Sequence, residues 1–197
     1  SEHEVSCISV QTVAKGVDLE KYNMTLVGIT KDGRWLKADN IESIADGSWY
    51  DSKVTAVISP DTRRELIVFS DAGVERQKVD VIFPVLHGMY GEDGTIQSVL
   101  ELAKIPYTGS GVTSSAITMD KIVSSRIFKQ AGLPMSKSQA YYLSEGIDAV
   151  EKEILNEFSF PVVLKPACGG STIGIEIVRE KENLHEALQR VFQVEPR

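Results

Sequence analysis

Three short segments of the 197-residue chain carry side chains that could do chemistry. The run VLHGMYGEDGTIQ, residues 85–97, follows an apolar stretch and delivers His87, three glycines and an acid pair to one turn before a helical pattern begins. In an open α/β sheet, ligands bind beyond the carboxyl ends of the strands, and a strand ending at Leu86 presents His87 there. Gly88, Gly91 and Gly94 permit a tight turn and close backbone approach to a ligand. Asp93 is placed to cap a helix starting near Gly94, whose free N–H groups could receive an anion. The plainer alternative is a strand-to-helix turn in which His87 is only hydrogen-bonded and Glu92 and Asp93 are structural.

The second segment is VLKPACGGSTIGIEIV, residues 163–178. Lys165 ends an apolar strand, where burial without an anionic partner is costly. The following loop offers backbone donors at Gly169, Gly170 and Gly174 and hydroxyls at Ser171 and Thr172, a set suited to phosphate. It is not a Walker A loop, since the lysine precedes the glycines. Nor is TGSGVTSS a dinucleotide fingerprint, because Ser114 stands where a third glycine is expected. A flexible hairpin with an exposed lysine is the competing reading. In the third segment, MDKIVSSRIFKQAGLP, Asp120 can cap a helix whose first turn holds Lys121. A cation there opposes the helix dipole, so a nearby phosphate would rationalise it. Glu2 and His3 precede the first helix, where a carboxylate is favoured and an ordinary N-terminal cap would serve equally well.

These residues need elements to position them. Val5, Ile8, Val10, Val13 and Val17 fall close to one helical face. Residues 22–30 and 35–37 read as a hairpin across the KDGR turn, and residues 55–60 and 64–70 as two further strands. The run VDVIFPV reads as a strand covered on both faces, followed by a helix over 94–105, a short strand in IPYTGSG, and one or two helices that stop at Gly132 and Pro134. From Ser138 the spacing predicts a strand in QAYYL, a helix capped by Ser144, a strand in FPVVLKP, a strand in IEIV and a closing helix. The expected boundary lies near residues 132–138, giving an α/β layer domain with some parallel sheet over 1–135 and an α+β unit over 136–197.

The chain is 42% hydrophobic and 25% charged, which is ordinary for a globular protein, and no apolar run approaches a bilayer span. A formal charge of −7 with scattered Lys and Arg argues against nucleic acid and for a small-molecule partner. Cys7 and Cys168 match neither a disulfide framework nor zinc spacing and read as two reduced cytosolic thiols. With no initial Met, no signal-peptide pattern and a stop just after an amphipathic helix, the chain reads as a fragment.

In order and approximate spacing, SEHEVS, HGMYGEDGTIQ, IPYTGSGV, MDK and VVLKPACGGSTIG resemble the D-alanine:D-alanine ligases of the ATP-grasp superfamily. The resemblance spans essentially the whole chain. It implies a Rossmann-like (preATP-grasp) domain over 1–135, lacking its first strand, and the first, α+β half of an ATP-grasp domain over 136–197. It further implies a cytoplasmic, homodimeric enzyme of peptidoglycan synthesis that uses ATP with Mg2+ or Mn2+ to phosphorylate one D-alanine and join it to a second. Acceptance of D-serine or D-lactate instead is the alternative within that class, and a non-catalytic nucleotide-binding fragment is the alternative outside it.

Carried over by position, Glu2 matches the family residue that holds the first substrate's ammonium. His87 matches the one near its carboxylate, and Lys121 and Lys165 match the two phosphate lysines. Ser171 matches the serine that orients the first substrate, while Gly170 and Thr172 belong to the loop over the phosphates. Thr172 replaces the usual serine of that loop, a change that keeps the hydroxyl and the backbone donor. The metal carboxylates are expected beyond Arg197, so no metal ligand is named in this chain and it is expected to be inactive alone.

Overall fold

The computed structural model describes residues 2–197. The chain forms two compact units, Ser1–Ser115 and Ala116–Arg197. Within the second unit, the segment after Ser115 is stitched to the later loop: Lys121 N–H donates to Ala167 O at 2.9 Å.

The first unit is built on a five-stranded antiparallel sheet in the order β1-β2-β3-β4-β5: Leu26–Ile29, Trp35–Ala38, Thr55–Ile58, Glu65–Ser70 and Gly73–Lys78. The predicted hairpin forms with Leu26 opposite Ala38 and Ile29 opposite Trp35. Strand β5 has no sequence signature, since GVERQK lacks apolar alternation. Its six-pair register with β4 supplies the backbone bonds, and Arg76 and Lys78 pair with Glu65 at 3.0 and 3.4 Å. Helix α1, His3–Lys15, packs Cys7 and Val10 beside Leu36, Ile44 and Trp49, and Ala14 on the same face is buried. The buried positions are thus spaced i, i+3, i+7, while Val5 and Ile8 of the expected face remain exposed.

The expected doubly covered strand at residues 79–85 is not formed. Ile82 makes a lone parallel bridge with Tyr107, its N–H donating to Pro106 O at 2.8 Å, and Val81 and Phe83 are exposed. An apolar run does not specify its pairing, and Pro84 has no N–H to carry a ladder onward. The turn still leads into a helix, α3 at Thr95–Ala103, anchored by buried Ile96, Leu100 and Ala103. Helix α2, Ile41–Asp46, lies between β2 and β3.

Helix α4, Val112–Met119, runs across the division, and α5, Lys121–Gln130, follows after the Asp120 cap. In the second unit, α6 (Ile147–Glu157), β6 (Val162–Leu164), β7 (Glu176–Val178) and α7 (Leu184–Val194) surround a core of Val150, Ile154, Val162, Val178, Leu184 and Leu188. Strands β6 and β7 pair antiparallel, Val162 opposite Val178, so the glycine loop joins them as predicted. Two local expectations fail. Residues 139–143 form no strand, and α6 begins after Gly146 rather than under a Ser144 cap, because Leu143–Glu145 closes a separate 3-10 turn held by Tyr142 N–H to Glu145. The α/β class holds, with helices packed on antiparallel sheets in place of the parallel layer.

Candidate functional site

The first unit brings Glu2 and His87 together around Gly88. Glu2 stands at the start of α1, yet its side chain makes no capping bond. Its carboxylate lies instead against Gly88: a Cβ built on that glycine would stand 2.0 Å from Glu2 Oε2. With φ of +77°, Gly88 also holds a backbone conformation that side-chain-bearing residues rarely adopt. The ordinary-cap reading of Glu2 is therefore replaced by an acid aimed at the turn.

Helix α1 fixes the adjacent histidine twice. Ser6 Oγ accepts from His87 N–H at 3.0 Å, and Ser9 Oγ lies 3.0 Å from His87 Nε2. Ser6 and Ser9 are spaced i, i+3 and so share the helix face that also starts at Glu2. Neither serine was singled out from sequence, and the only signal was that spacing. His3 serves structure: its Nε2 lies 3.0 Å from Ile29 O and its ring stacks on Trp49.

The acid pair braces the turn. Glu92 Oε2 accepts from Gly88 N–H at 2.6 Å, and Asp93 accepts from Tyr90 N–H at 2.9 Å and from Thr95 N–H at 3.0 Å. Partial burial raises the Asp93 pKa, but these donors outweigh it and hold the carboxyl below its usual range. Gln97 Nε2 closes the turn from beneath by donating to Gly91 O at 2.9 Å.

In the second unit, Lys121, Gly170, Ser171 and Thr172 line one cavity of about 180 Å3. Asp120 caps α5 by accepting from Ile122 and Val123 N–H, which puts Lys121 at the first helical position. Lys121 Nζ donates to Gly169 O at 2.8 Å, so loop carbonyls rather than an anion hold this cation in place. Ser171 and Thr172 lie at φ of +48° and +61°, an uncommon pair of left-handed residues. Gly174 returns the loop to β7 where a Cβ would meet Pro166 at 2.8 Å, at φ of +72°. Lys165 is exposed at the end of β6, so the burial cost anticipated for it does not arise.

Sequence reading missed the clamp behind this loop. Glu195 Oε2 accepts from Cys168 N–H at 2.6 Å, while Arg197 bridges Glu195 and Asp120 at 2.8 and 2.9 Å. Burial raises the Asp120 pKa, yet the capped N–H groups and Arg197 bring it below the usual aspartate value. Burial pushes the Cys168 thiol up, against the pull of Arg197, which donates to its sulfur at 3.0 Å.

Solved structures share this fold. The VanG D-Ala:D-Ser ligase from Enterococcus faecalis matches with a TM-score of 0.86 at 33% identity, over 98% of this chain and 56% of that one. The D-alanine-D-alanine ligase from Coxiella burnetii matches at 0.82 and 26%, over 100% of this chain and 56% of that one. The architecture is that of the D-alanine ligases. Among curated relatives, the D-alanine–D-alanine ligase of Caldicellulosiruptor bescii is 39% identical over 196 residues, covering 98% of this chain and 54% of the relative. That of a Thermoanaerobacter species is 42% identical over 192 residues, covering 95% and 53%. Profiles described as D-ala D-ala ligase N-terminus and C-terminus match residues 1–110 and 127–197. The chain belongs to the D-Ala–D-Ala ligase family, and it spans about half the length of the curated relatives it matches.

Proposed function

We propose that this chain supplies the first-substrate and phosphate-binding parts of an ATP-dependent ligase that joins two D-alanines for peptidoglycan synthesis. The observation that carries the reading is the Glu2 carboxylate set against Gly88 beside a doubly anchored His87. Glu2 holds the ammonium of the first D-alanine by opposite charge, and His87 donates to its carboxylate as charge is rearranged there. Gly88, with no Cβ, lets the Glu2 carboxylate lie against the turn, and Gly91 packs its backbone against Leu86.

Lys121 and Lys165 neutralise the phosphates of ATP, and the loop through Gly170, Ser171 and Thr172 offers its N–H groups and hydroxyls to them. The residues fit phosphate: Lys121 at the start of α5 and the two consecutive left-handed residues of the glycine loop line one cavity. Ser171 also orients the first D-alanine. Transfer of the γ-phosphoryl group to the D-alanine carboxylate releases ADP and gives an acyl phosphate. The amine of the second D-alanine attacks the acyl carbon, phosphate leaves with the bonding electrons, and the amine loses a proton. Mg2+ or Mn2+ would neutralise the charge of the transferring phosphate, and no residue of this chain is assigned to hold it.

The domains proposed are a preATP-grasp domain over 1–135 and the first part of an ATP-grasp domain over 136–197. A homodimer in the cytoplasm is the proposed working state. No helix among the described residues is long and apolar enough to cross a membrane, and no nucleic-acid partner is proposed.

The likeness to a D-Ala:D-Ser ligase supports a second reading in which the acceptor is D-serine; D-lactate is the third acceptor to test. Full-length protein given ATP, magnesium and D-alanine should release phosphate and D-alanyl-D-alanine in equal amounts. No D-alanine-dependent phosphate would exclude the ligase reading, and D-alanyl-D-serine or D-alanyl-D-lactate formed in preference would select an alternative acceptor. The 197-residue chain alone should not turn over; measurable turnover by it would show that this half suffices.

A further inference from the structure

Helices α6 and α7 carry a second group of ligating side chains that the ligase reading does not use. Asp148 and Glu151, spaced i, i+3, share a face of α6, and His185 is the second residue of α7. His185 Nδ1 lies 2.7 Å from Glu151 Oε2 and 3.8 Å from Asp148 Oδ1, and one ligand atom from each of the three falls within 4.8 Å of the others. Chain neighbours of these residues lock the helices in place: Val150 beside Glu151 and Leu184 beside His185 are buried in one core.

We propose that Asp148, Glu151 and His185 form a binding site for a divalent transition metal, zinc being the best fit. One imidazole nitrogen and two carboxylate oxygens make three protein ligands, and water would complete a tetrahedron. Metal–ligand bonds of about 2.1 Å place tetrahedral ligand atoms roughly 3.4 Å apart. The observed distances bracket that spacing, so side-chain rotations suffice.

The imidazole favours zinc, cobalt, nickel or copper over magnesium, which prefers an all-oxygen octahedron. Gln189, one turn along α7, has its amide 3.2 Å from His185 Nε2. Rotating that amide by half a turn offers Oε1 to the Nε2–H, the outer hydrogen bond that orients a metal-bound histidine. Without metal, the Glu151 hydrogen bond raises the His185 pKa.

The test is calorimetric titration of the 197-residue chain with zinc chloride in excess magnesium, with the imidazole resonances of each histidine followed by NMR. His3 with Cys7, whose Sγ is 3.8 Å from His3 Nδ1, is the rival zinc ligand pair, and the NMR distinguishes it. The proposal requires one equivalent bound, His185 signals displaced, and at least a tenfold loss of affinity in both His185→Gln and Asp148→Asn. Asp148 is 96% exposed, so Asp148→Asn leaves packing intact, and unchanged thermal melting without zinc confirms that for both variants. Parent affinity in either variant, or zinc that moves only the His3 signals, overturns it.

Discussion

The two candidate sites are held by opposite means. Around Gly88, side chains do the holding: two hydroxyls of α1 fix His87, and two carboxylates tie down the turn's N–H groups. Around Lys121, the backbone does it: loop carbonyls fix the lysine, left-handed residues shape the loop, and one carboxylate clamps it at Cys168 N–H. A site for a small, defined amino acid needs side chains at fixed atoms, whereas a polyanion is met by an array of donors that many sequences can provide. Substitutions should therefore be sharply residue-specific at the first site and graded at the second.

The largest effect is expected at Gly88. Gly88→Ala places a Cβ against the Glu2 carboxylate at a positive φ, and in the full-length enzyme kcat/KM for D-alanine should fall about a hundredfold or more, the scale of losing an aligned polar group. Chemical denaturation should show about 1–2 kcal/mol lost from the backbone alone, the cost of a side chain in the left-handed region. If activity is kept, the glycine is not clearance for Glu2. Next comes Glu195→Gln, which weakens a charge-assisted bond to Cys168 N–H. A cost of about 1–2 kcal/mol corresponds to KM for ATP raised roughly tenfold, with D-alanine affinity unmoved. Ser9→Ala should be milder, removing one hydroxyl from His87 at about 1 kcal/mol, a severalfold drop in kcat. Steady-state kinetics with each substrate varied would rank the three.

What could be read from residue types alone follows the same divide. His87 and Gly88 stood out because their chemistry is in the side chain or in its absence, and so did the capping role of Asp120 and the loop composition, whereas Glu2 read from its position alone as an ordinary cap. Ser6 and Ser9 were hidden, since two serines on a helix say nothing until the opposite wall is known. Glu195 and Arg197 were hidden for another reason: they sit far along the chain from the loop they clamp. In the fold, β1 to β4 and α7 announced themselves by alternation or helical period. Strand β5 did not, because an edge strand of polar residues is specified by its partner's ladder. Residues 79–85 misled in the other direction, since an apolar run reports burial tendency and not pairing.

The smallest effect concerns pH and salt. Asp93 and Asp120 both have pKa values lowered from the ordinary 3.8. A depressed carboxylate contributes stability that is present above the unfolded value and lost as pH falls through the folded one, so both contributions fade below about pH 3.8. Asp93 is held by uncharged donors, the Tyr90 and Thr95 N–H groups and the Thr95 hydroxyl, while Asp120 also faces the charged Arg197. Carboxylate titration by NMR should show added salt raising the Asp120 pKa and leaving that of Asp93 nearly fixed. Equal salt responses would erase this difference between the sites.

The central claim is that one part of this chain binds the amino acid and another the nucleotide phosphates. It is tested most directly by how Michaelis constants split in the full-length enzyme carrying Glu2→Gln or Lys121→Ala. Glu2→Gln should raise KM for the first D-alanine at least tenfold with KM for ATP unchanged, and Lys121→Ala should do the reverse. If both substitutions shift both constants alike, the division of labour between the two sites is wrong.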